Sequence, residues 1–528
     1  VRNVTTWIEV GHRRAEEHGD KLLYSFMRDG REVGDRLSFC ALHERSVELA
    51  GALQTLMQPG DRALLLYPPG LEFILAFHAC LYAGVVAVPA YPPGNRRSLA
   101  RLQQVVEDAR PRAVLTTAAS LPRLQQRWRA LGLADSGQAW LATDDAGNLE
   151  PGLWRQPAIG PNYLAFLQYT SGSTSRPKGV CVSHGNLLHN QRAIQRSFGM
   201  GPHSVVMSWL PVYHDMGLIG CVLQPLFAGA SCTLMAPVAF LQSPRRWLVA
   251  VSELGATVSG GPNFAYELCV RKLADEDLEG LELGSWEVAF NGAEPVRAAT
   301  LKGFADRFAA VGFRASSLFP CYGLAEATLF VSGAGRQQGA VEIEPKASPD
   351  AAEVAGMTPR KLVSSGRAGE GVTVEIVDPE TRLRLAPGEI GEIWVSGDSV
   401  AGGYWRRPEE SEETFGVSLP GDRRLFLRTG DLGFRDGDHL VVTGRLKDLI
   451  IIRGRNVYPQ DLEQTAENAH AQTVLGGSAA FALEVGGEER VVMVVEVVGR
   501  RPDEKTLAEL LEAVAASIAL DHEVQVWD

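Results

Sequence analysis

YTSGSTSRPKGV, residues 169–180, packs six hydroxyl side chains, two glycines and two cations into twelve positions, just after the apolar run Leu164-Ala165-Phe166-Leu167. Hydroxyls and freed backbone N–H groups donate hydrogen bonds to phosphate oxygens. Glycine lets the backbone come close, and the closing lysine adds a point charge. The stretch is not a Walker A loop, which requires Gly, four residues, then Gly-Lys-Ser/Thr. It predicts a nucleotide-phosphate loop of another kind; the competing reading of the same composition is a flexible Ser/Gly surface loop.

Around this loop, short apolar runs alternate with helical patterns. Residues 62–67, 85–89, 113–117, 205–210, 231–235, 256–259 and 286–290 read as strands and 71–81 as a helix. Buried apolar strands alternating with helices imply parallel sheets covered on both faces, with ligands gathering at the carboxyl ends of the strands. SGGPN (259–263), FNGAEP (290–295) and CYGLAEAT (321–328) are further loops at such ends. Residues 335–361 are polar and read as an insertion. Strands at 372–377, 389–395 and 425–427, with a hairpin turn at 435–438, suggest a small antiparallel barrel. A boundary falls near 445–448. Beyond it an α+β piece is expected: a helix over 461–470, a hairpin of 479–484 and 490–498 around Gly486-Gly487, and a closing strand at 524–528. An amphipathic helix over 505–519 would bury Leu507, Leu510, Leu511, Val514 and Ile518.

At 528 residues the chain is too long for one core, so at least two domains are expected. Its hydrophobic fraction of 45% and charged fraction of 22% are those of a globular protein, and the net charge of −12 argues against a nucleic-acid binder. Seven scattered cysteines without a Cys-x-x-Cys pair fit reduced thiols in a cytoplasmic protein. No stretch reads as a signal peptide or membrane span; the richest, 73–89, is broken by His78 and Gly84. A first residue of Val1 reads as a trimmed chain.

Four other pieces carry chemistry. Tyr322-Gly323-Leu324-Ala325-Glu326 offers an aromatic face for a base, and a carboxylate among apolar residues that needs a cation or metal partner. Thr429-Gly430-Asp431 offers a carboxylate in a tight turn, suited to a ribose diol. Gly444-Arg445-Leu446-Lys447-Asp448 sets two cations at the domain boundary, and LPVYHDMG (210–217) sets a His–Asp pair after a strand. Taken singly, each has a plainer reading: a turn, a capping Asp431, solvated Arg445 and Lys447, a structural His214.

In this order the pieces resemble the adenylate-forming enzymes, which include acyl-CoA synthetases, luciferases and nonribosomal-peptide adenylation domains. LPVYHDMGLIG, PVAFLQSPRRWL, SGGPNFAYELCVRK, FNGAEPVR, CYGLAEATLFVSG and LKDLIIIRGRNVYPQDLE are similar to the fatty-acyl-AMP ligase branch. The resemblance implies an α/β fold. A large N-terminal domain, 1–445, would hold two parallel-rich sheets with flanking helices plus a small antiparallel β-barrel, with 335–361 as the branch's insertion. A small mobile α+β C-terminal domain, 446–528, would be incomplete at its end and swing about Lys447. Ser175 stands where the wider family commonly has a second glycine.

The implied reaction is attack of a fatty carboxylate on the α-phosphate of ATP, giving acyl-AMP and pyrophosphate, then acyl transfer to the phosphopantetheine thiol of an acyl carrier protein. Such a ligase works alone or as part of a larger polyketide or nonribosomal-peptide synthase. The insertion would limit domain motion and use of CoA. Thr170, Ser171, Gly172, Ser173, Thr174 and Lys178 would hold phosphates, and Glu326 would bind Mg²⁺. Tyr322 and Gly323, with Asn291, Gly292, Ala293 and Glu294, would enclose adenine. Asp431 would accept from the ribose, and Arg445 would contact ribose or phosphate. His214 stands with Lys178, Glu326 and Arg445 as a candidate catalytic group. Trp209, His214, Met216, Leu218, Gly261 and Phe264 are candidates for the mouth of an acyl tunnel, the glycine leaving room for the chain and the aromatics setting its width. The family's catalytic lysine, in a Ser-Gly-Lys motif near the C-terminus, is expected beyond Asp528. The rival readings are a fatty acyl-CoA ligase, an amino-acid adenylation domain using Asp215, and a non-catalytic nucleotide-binding protein.

Overall fold

The computed structural model describes residues 3–93, 96–130, 137–145, 152–170, 176–344, 361–452, 455–485, 488–499, 502–522 and 524–527. Two large sheets organise the chain. The smaller has six strands in the order Ala139–Ala142, Ala113–Thr116, Arg62–Leu65, Val86–Pro89, Leu164–Thr170, Lys178–Ser183. The first five run parallel and the last closes as an antiparallel hairpin. The short runs Val86–Pro89 and Ala113–Thr116 are buried at every residue, the pattern of a parallel strand covered on both faces. Helix Leu71–Ala83 connects two of them. It is apolar all round and buried at every residue but Glu72. It stops at Gly84, whose left-handed φ of 72° lets its N–H close on the carbonyls of Cys80 and Leu81.

The larger sheet has 14 strands. Its parallel part runs Leu318–Gly323, Val288–Asn291, Val258–Gly261, Val205–Ser208, Ser231–Met235, Leu22–Arg28. Its antiparallel part runs Thr373–Val377, Gly391–Ser396, Leu425–Asp436, His439–Arg445, Arg367–Ala368, Phe330–Gly333. The antiparallel strands were expected as a small barrel within the N-terminal domain. They continue the parallel sheet through Phe330–Gly333, which pairs with Leu318–Gly323, and no pairing among the described residues closes the barrel. Joining the parallel sheet pairs one edge of the antiparallel part, while Thr373–Val377 stays at the other.

The strand expected at 425–427 extends over Leu425–Asp436, because pairing on both sides carries it through the Thr429-Gly430-Asp431 motif. Within 335–361 only Glu342–Ile343 is a strand among the described residues, and it pairs with Leu362–Val363 just after; positions 345–360 lie outside the described residues.

From Ile450 on, the chain packs an apolar cluster of its own, including Ile450, Leu462, Val491, Leu510, Val514 and Ile518. Helices Pro459–Ala469 and Glu504–His522 flank the hairpin of Thr473–Val485 and Glu488–Val497. The expected turn Gly486-Gly487 lies outside the described residues. Leu511 is exposed, contrary to expectation. Leu510, Val514 and Ile518 make the buried stripe at i, i+4, i+8, and the adjacent position turns about 100° away from it. All seven cysteines are free, and among the described residues no helix is long and apolar enough to cross a membrane.

Candidate active site

The carboxyl ends of Val288–Asn291 and Leu318–Gly323 lie side by side, Asn291 in register with Pro320. Tyr322, the last residue but one of its strand, donates its phenol to Asp431 Oδ2 at 2.7 Å. Arg445 Nε lies 3.1 Å from Asp431 Oδ1, and the two residues face each other in the Leu425–Asp436/His439–Arg445 ladder. Burial raises the Asp431 carboxyl above its ordinary value, while Arg445 and Tyr322 pull it back.

A bulge, not the expected tight turn, presents Asp431. Arg428 pairs with Trp394 and Leu432 with Glu392, so residues 429–431 stand opposite Ile393 alone. Gly430 there has φ 70°, and the Thr429 hydroxyl donates to the Ile393 carbonyl at 2.7 Å. Buried Glu392 holds the bulge. It accepts from Gly430 N–H (3.1 Å), Trp394 Nε1 (3.0 Å), and Arg428 Nε and Nη2 (3.0 Å each). Bulges re-aim side chains in this way. Sequence reasoning passed over Glu392, because a lone Glu beside an apolar run carries no signal of its partner 36 positions on.

The neighbouring loop is tight. A Cβ at Gly292 would lie 2.9 Å from both the carbonyl oxygen and Sγ of Cys321, and Ala293 takes a positive φ of 70°. Glu294 turns back instead to accept from Phe264 N–H at 2.6 Å, in the first turn of helix Asn263–Lys272. Among the described residues, Asn291 Oδ1 is buried without a partner, an open acceptor of the kind an adenine amino group would fill.

Thr170 and Lys178 face each other at the loop end of the hairpin. Ser171, Gly172, Ser173, Thr174 and Ser175 lie outside the described residues. The Lys178 ammonium pairs with Glu410 and sits 4.8 Å above the ring centre of Tyr404. Lys178 and then Arg407, which donates to Glu410 at 2.8 Å, hold the Glu410 carboxyl below its ordinary value. Tyr404 donates its hydroxyl to Glu326 Oε1 at 2.9 Å. Burial raises the Glu326 carboxyl, and Tyr404 opposes that shift. Glu326 is a carboxylate of the kind that binds Mg²⁺ together with phosphate oxygens and water. Tyr404, Arg407 and Glu410 were missed. Gly402-Gly403-Tyr404-Trp405 followed by a run of charges was the available signal.

The acyl-mouth candidates divide into two groups. Trp209 stacks on Phe240 at 4.0 Å between ring centres and meets Phe264 edge-on at 6.1 Å. A Cβ on Gly261 would lie 2.6 Å from Trp209 Cζ2, so the space beside this glycine is filled by the indole, not left open as expected. Met216 and Leu218 lie on a buried π-helical turn, Met216–Leu223. His214 Nδ1 contacts Asp215 Oδ1 at 2.6 Å, and that oxygen also accepts from Met216 N–H at 2.6 Å. Asp215 is therefore already engaged, which weakens the amino-acid reading. Lys447 is exposed in the short turn Leu446–Asp448. A cavity of about 480 Å³ lined by Arg196, Arg336, Arg367 and His439 lies elsewhere and includes none of the nominated residues.

A family model described as AMP-binding enzyme matches residues 11–405. JamA of Moorena producens, a medium-chain-fatty-acid–[acyl-carrier-protein] ligase, is 40% identical over 540 residues, covering 99% of this chain and 90% of that protein. TtuA of Teredinibacter turnerae, a ligase of the same description, is 36% identical, covering 96% and 87%. The structure of a Legionella pneumophila fatty acyl-adenylate ligase in complex with acyl adenylate and pyrophosphate matches with TM-score 0.79 at 39% identity, over 99% and 91% of the two chains. A second, from a study of the Escherichia coli and L. pneumophila enzymes, matches with TM-score 0.89 at 33% identity, over 99% and 92%.

Proposed function

The chain belongs to the AMP-binding enzymes, in their fatty-acyl-AMP ligase branch, and from this we propose that it joins a fatty acid to AMP and hands the acyl group to a carrier-protein thiol. The observation that carries the reading is the convergence of Tyr322, Arg445 and the bulge-borne Asp431 beside the open Asn291 acceptor.

In the first step a carboxylate oxygen of the acid attacks the α-phosphorus of ATP, and the bond to the bridging oxygen breaks to release pyrophosphate. The nucleophile is the substrate itself, so the protein's work is positioning and electrostatics. Asn291 and the ring of Tyr322 receive adenine, with Gly292 and Ala293 as its wall. Asp431 accepts from the ribose hydroxyls and Arg445 neutralises nearby phosphate. Thr170, the hydroxyls of 171–174 and Lys178 hold the β- and γ-phosphates. Glu326 is the carboxylate for Mg²⁺, an ion that supplies charge neutralisation at phosphate oxygens when bound. Trp209 and Phe264 border the acyl chain.

In the second step the carrier's phosphopantetheine sulfur attacks the acyl carbonyl and AMP leaves. Division into 1–445 and 446–528, with Lys447 as hinge, is supported by the separate apolar cluster beginning at Ile450. The acyl-carrier-protein ligases among the relatives support a carrier as acceptor.

The test is incubation of the full-length protein with ATP, Mg²⁺ and a ladder of fatty acids, offering holo-carrier protein or CoA separately and reading products by mass spectrometry. Acyl-carrier as main product is expected. Acyl-CoA as main product overturns the choice of acceptor.

A further inference from the structure

Lys178 opens the strand Lys178–Ser183 of the six-stranded sheet, Glu326 lies in the short turn Ala325–Ala327 between two strands of the larger one, and one side chain touches both. The Tyr404 hydroxyl donates to Glu326 Oε1 at 2.9 Å, while its ring face lies 4.8 Å beneath the Lys178 ammonium. The backbone around it is stitched to the same two elements. Cys181 N–H donates to the Gly403 carbonyl (2.9 Å), Gly402 N–H to the Cys181 carbonyl (3.1 Å) and Trp405 N–H to the Gly179 carbonyl (2.7 Å), extending the Lys178 strand by an irregular partner. On the other side Ala401 N–H donates to the Glu326 carbonyl at 2.8 Å. The ring cannot drift. Phe415 meets it edge-on at 5.1 Å, and its own N–H is tied to Ser411 Oγ at 2.9 Å.

We propose that Tyr404 is a positioning residue for adenylation, which sets the phosphate-facing Lys178 and the metal-facing Glu326 at a fixed separation. The proposal rests on the adenylation reading. Its two halves are chemically separable: the ring face attracts the ammonium, and the hydroxyl orients one carboxylate oxygen and leaves the other free for a cation. Glu410, anchored by Arg407, then holds the ammonium from its far side until phosphate replaces it.

The test uses ATP binding by calorimetry, in EDTA and in Mg²⁺, on the full-length protein and on Tyr404→Phe and Tyr404→Leu, with thermal melts of each. Tyr404→Phe keeps the ring, so metal-free affinity stays within about twofold of wild type, while the gain in affinity on adding Mg²⁺ shrinks by about five- to tenfold. Tyr404→Leu also loses about threefold in metal-free affinity. In a Glu326→Gln background Tyr404→Phe has no further effect on the Mg²⁺ gain, and in a Lys178→Met background Tyr404→Leu has none on metal-free affinity. A Tyr404→Phe protein with an unchanged Mg²⁺ gain, or additive effects in either background, overturns the proposal. A wild-type protein that does not bind ATP sinks the adenylation reading instead.

Discussion

Replacing Glu392 with alanine should damage both stability and nucleotide binding through one bulge. Its carboxylate is almost fully buried and receives four donors: two from Arg428, one from Trp394 and one from the Gly430 backbone. Alanine leaves the Arg428 guanidinium, itself 22% exposed, without its counter-ion. Breaking one partner of a buried pair costs about 3–5 kcal/mol, and the partial exposure of Arg428 places this case near the lower end, about 3 kcal/mol. Unfolding entropy of about 2 cal/mol/K per residue makes that a fall in Tm of roughly 3 °C for a folded unit of some 450 residues. The Gly430 N–H also loses its acceptor, so Asp431 is no longer aimed, and ATP affinity should fall about tenfold, the equivalent of one lost charge-assisted hydrogen bond. Differential scanning fluorimetry and ATP titration read the two effects. Glu392→Gln, which keeps one acceptor oxygen, should fall between. The double variant Glu392→Gln/Arg428→Met should lose less than the sum of the singles. A Glu392→Ala protein melting within about 1 °C of wild type with unchanged ATP affinity would refute the reasoning.

Asp431→Asn is isosteric but discharges the group that Tyr322 and Arg445 face, so KM for ATP should rise about 10- to 100-fold with the melt nearly unchanged; steady-state kinetics check it. His214 is raised above its ordinary 6.5, mainly by its hydrogen bond to Asp215, so its stabilising contribution is complete below about pH 6.5 and fades as pH climbs through the raised value. An NMR titration should place its midpoint above 6.5 and Asp215→Asn should lower it; no change in the variant speaks against the pair. Arg297 reaches Glu467 at 2.5 Å, a carboxylate 1% exposed on helix Pro459–Ala469, so Arg297→Ala should cost about 3–5 kcal/mol of docking between these elements. Limited proteolysis near Arg445 should then accelerate severalfold, and an unchanged cleavage rate counts against the contact.

The parallel strands were readable because strands covered on both faces are nearly uninterrupted apolar runs; Arg62–Leu65, Val86–Pro89 and Ala113–Thr116 lie where those runs are. Their neighbours were not readable. Leu22–Arg28 joins the large sheet beside Ser231–Met235, and Ser25 meets Thr233 from 208 positions away, a pairing that no local pattern encodes. The site followed the same division. Tyr322, Glu326, Asp431 and Arg445 stood out by residue type in turn-like surroundings. Glu392, Tyr404 and Glu410 act through partners dozens to hundreds of positions distant, and only folding brings them to the motif residues. Gly261 shows the opposite failure. Its small size was noticed, but the occupant of the space it leaves is Trp209.

The most direct measurement of the central claim is exchange of labelled pyrophosphate into ATP by the full-length protein, acid by acid. Fatty acids should drive exchange well above the acid-free rate, and Asp431→Asn should depress it at limiting ATP. Exchange that is indifferent to fatty acid, or driven faster by amino acids, would contradict the account.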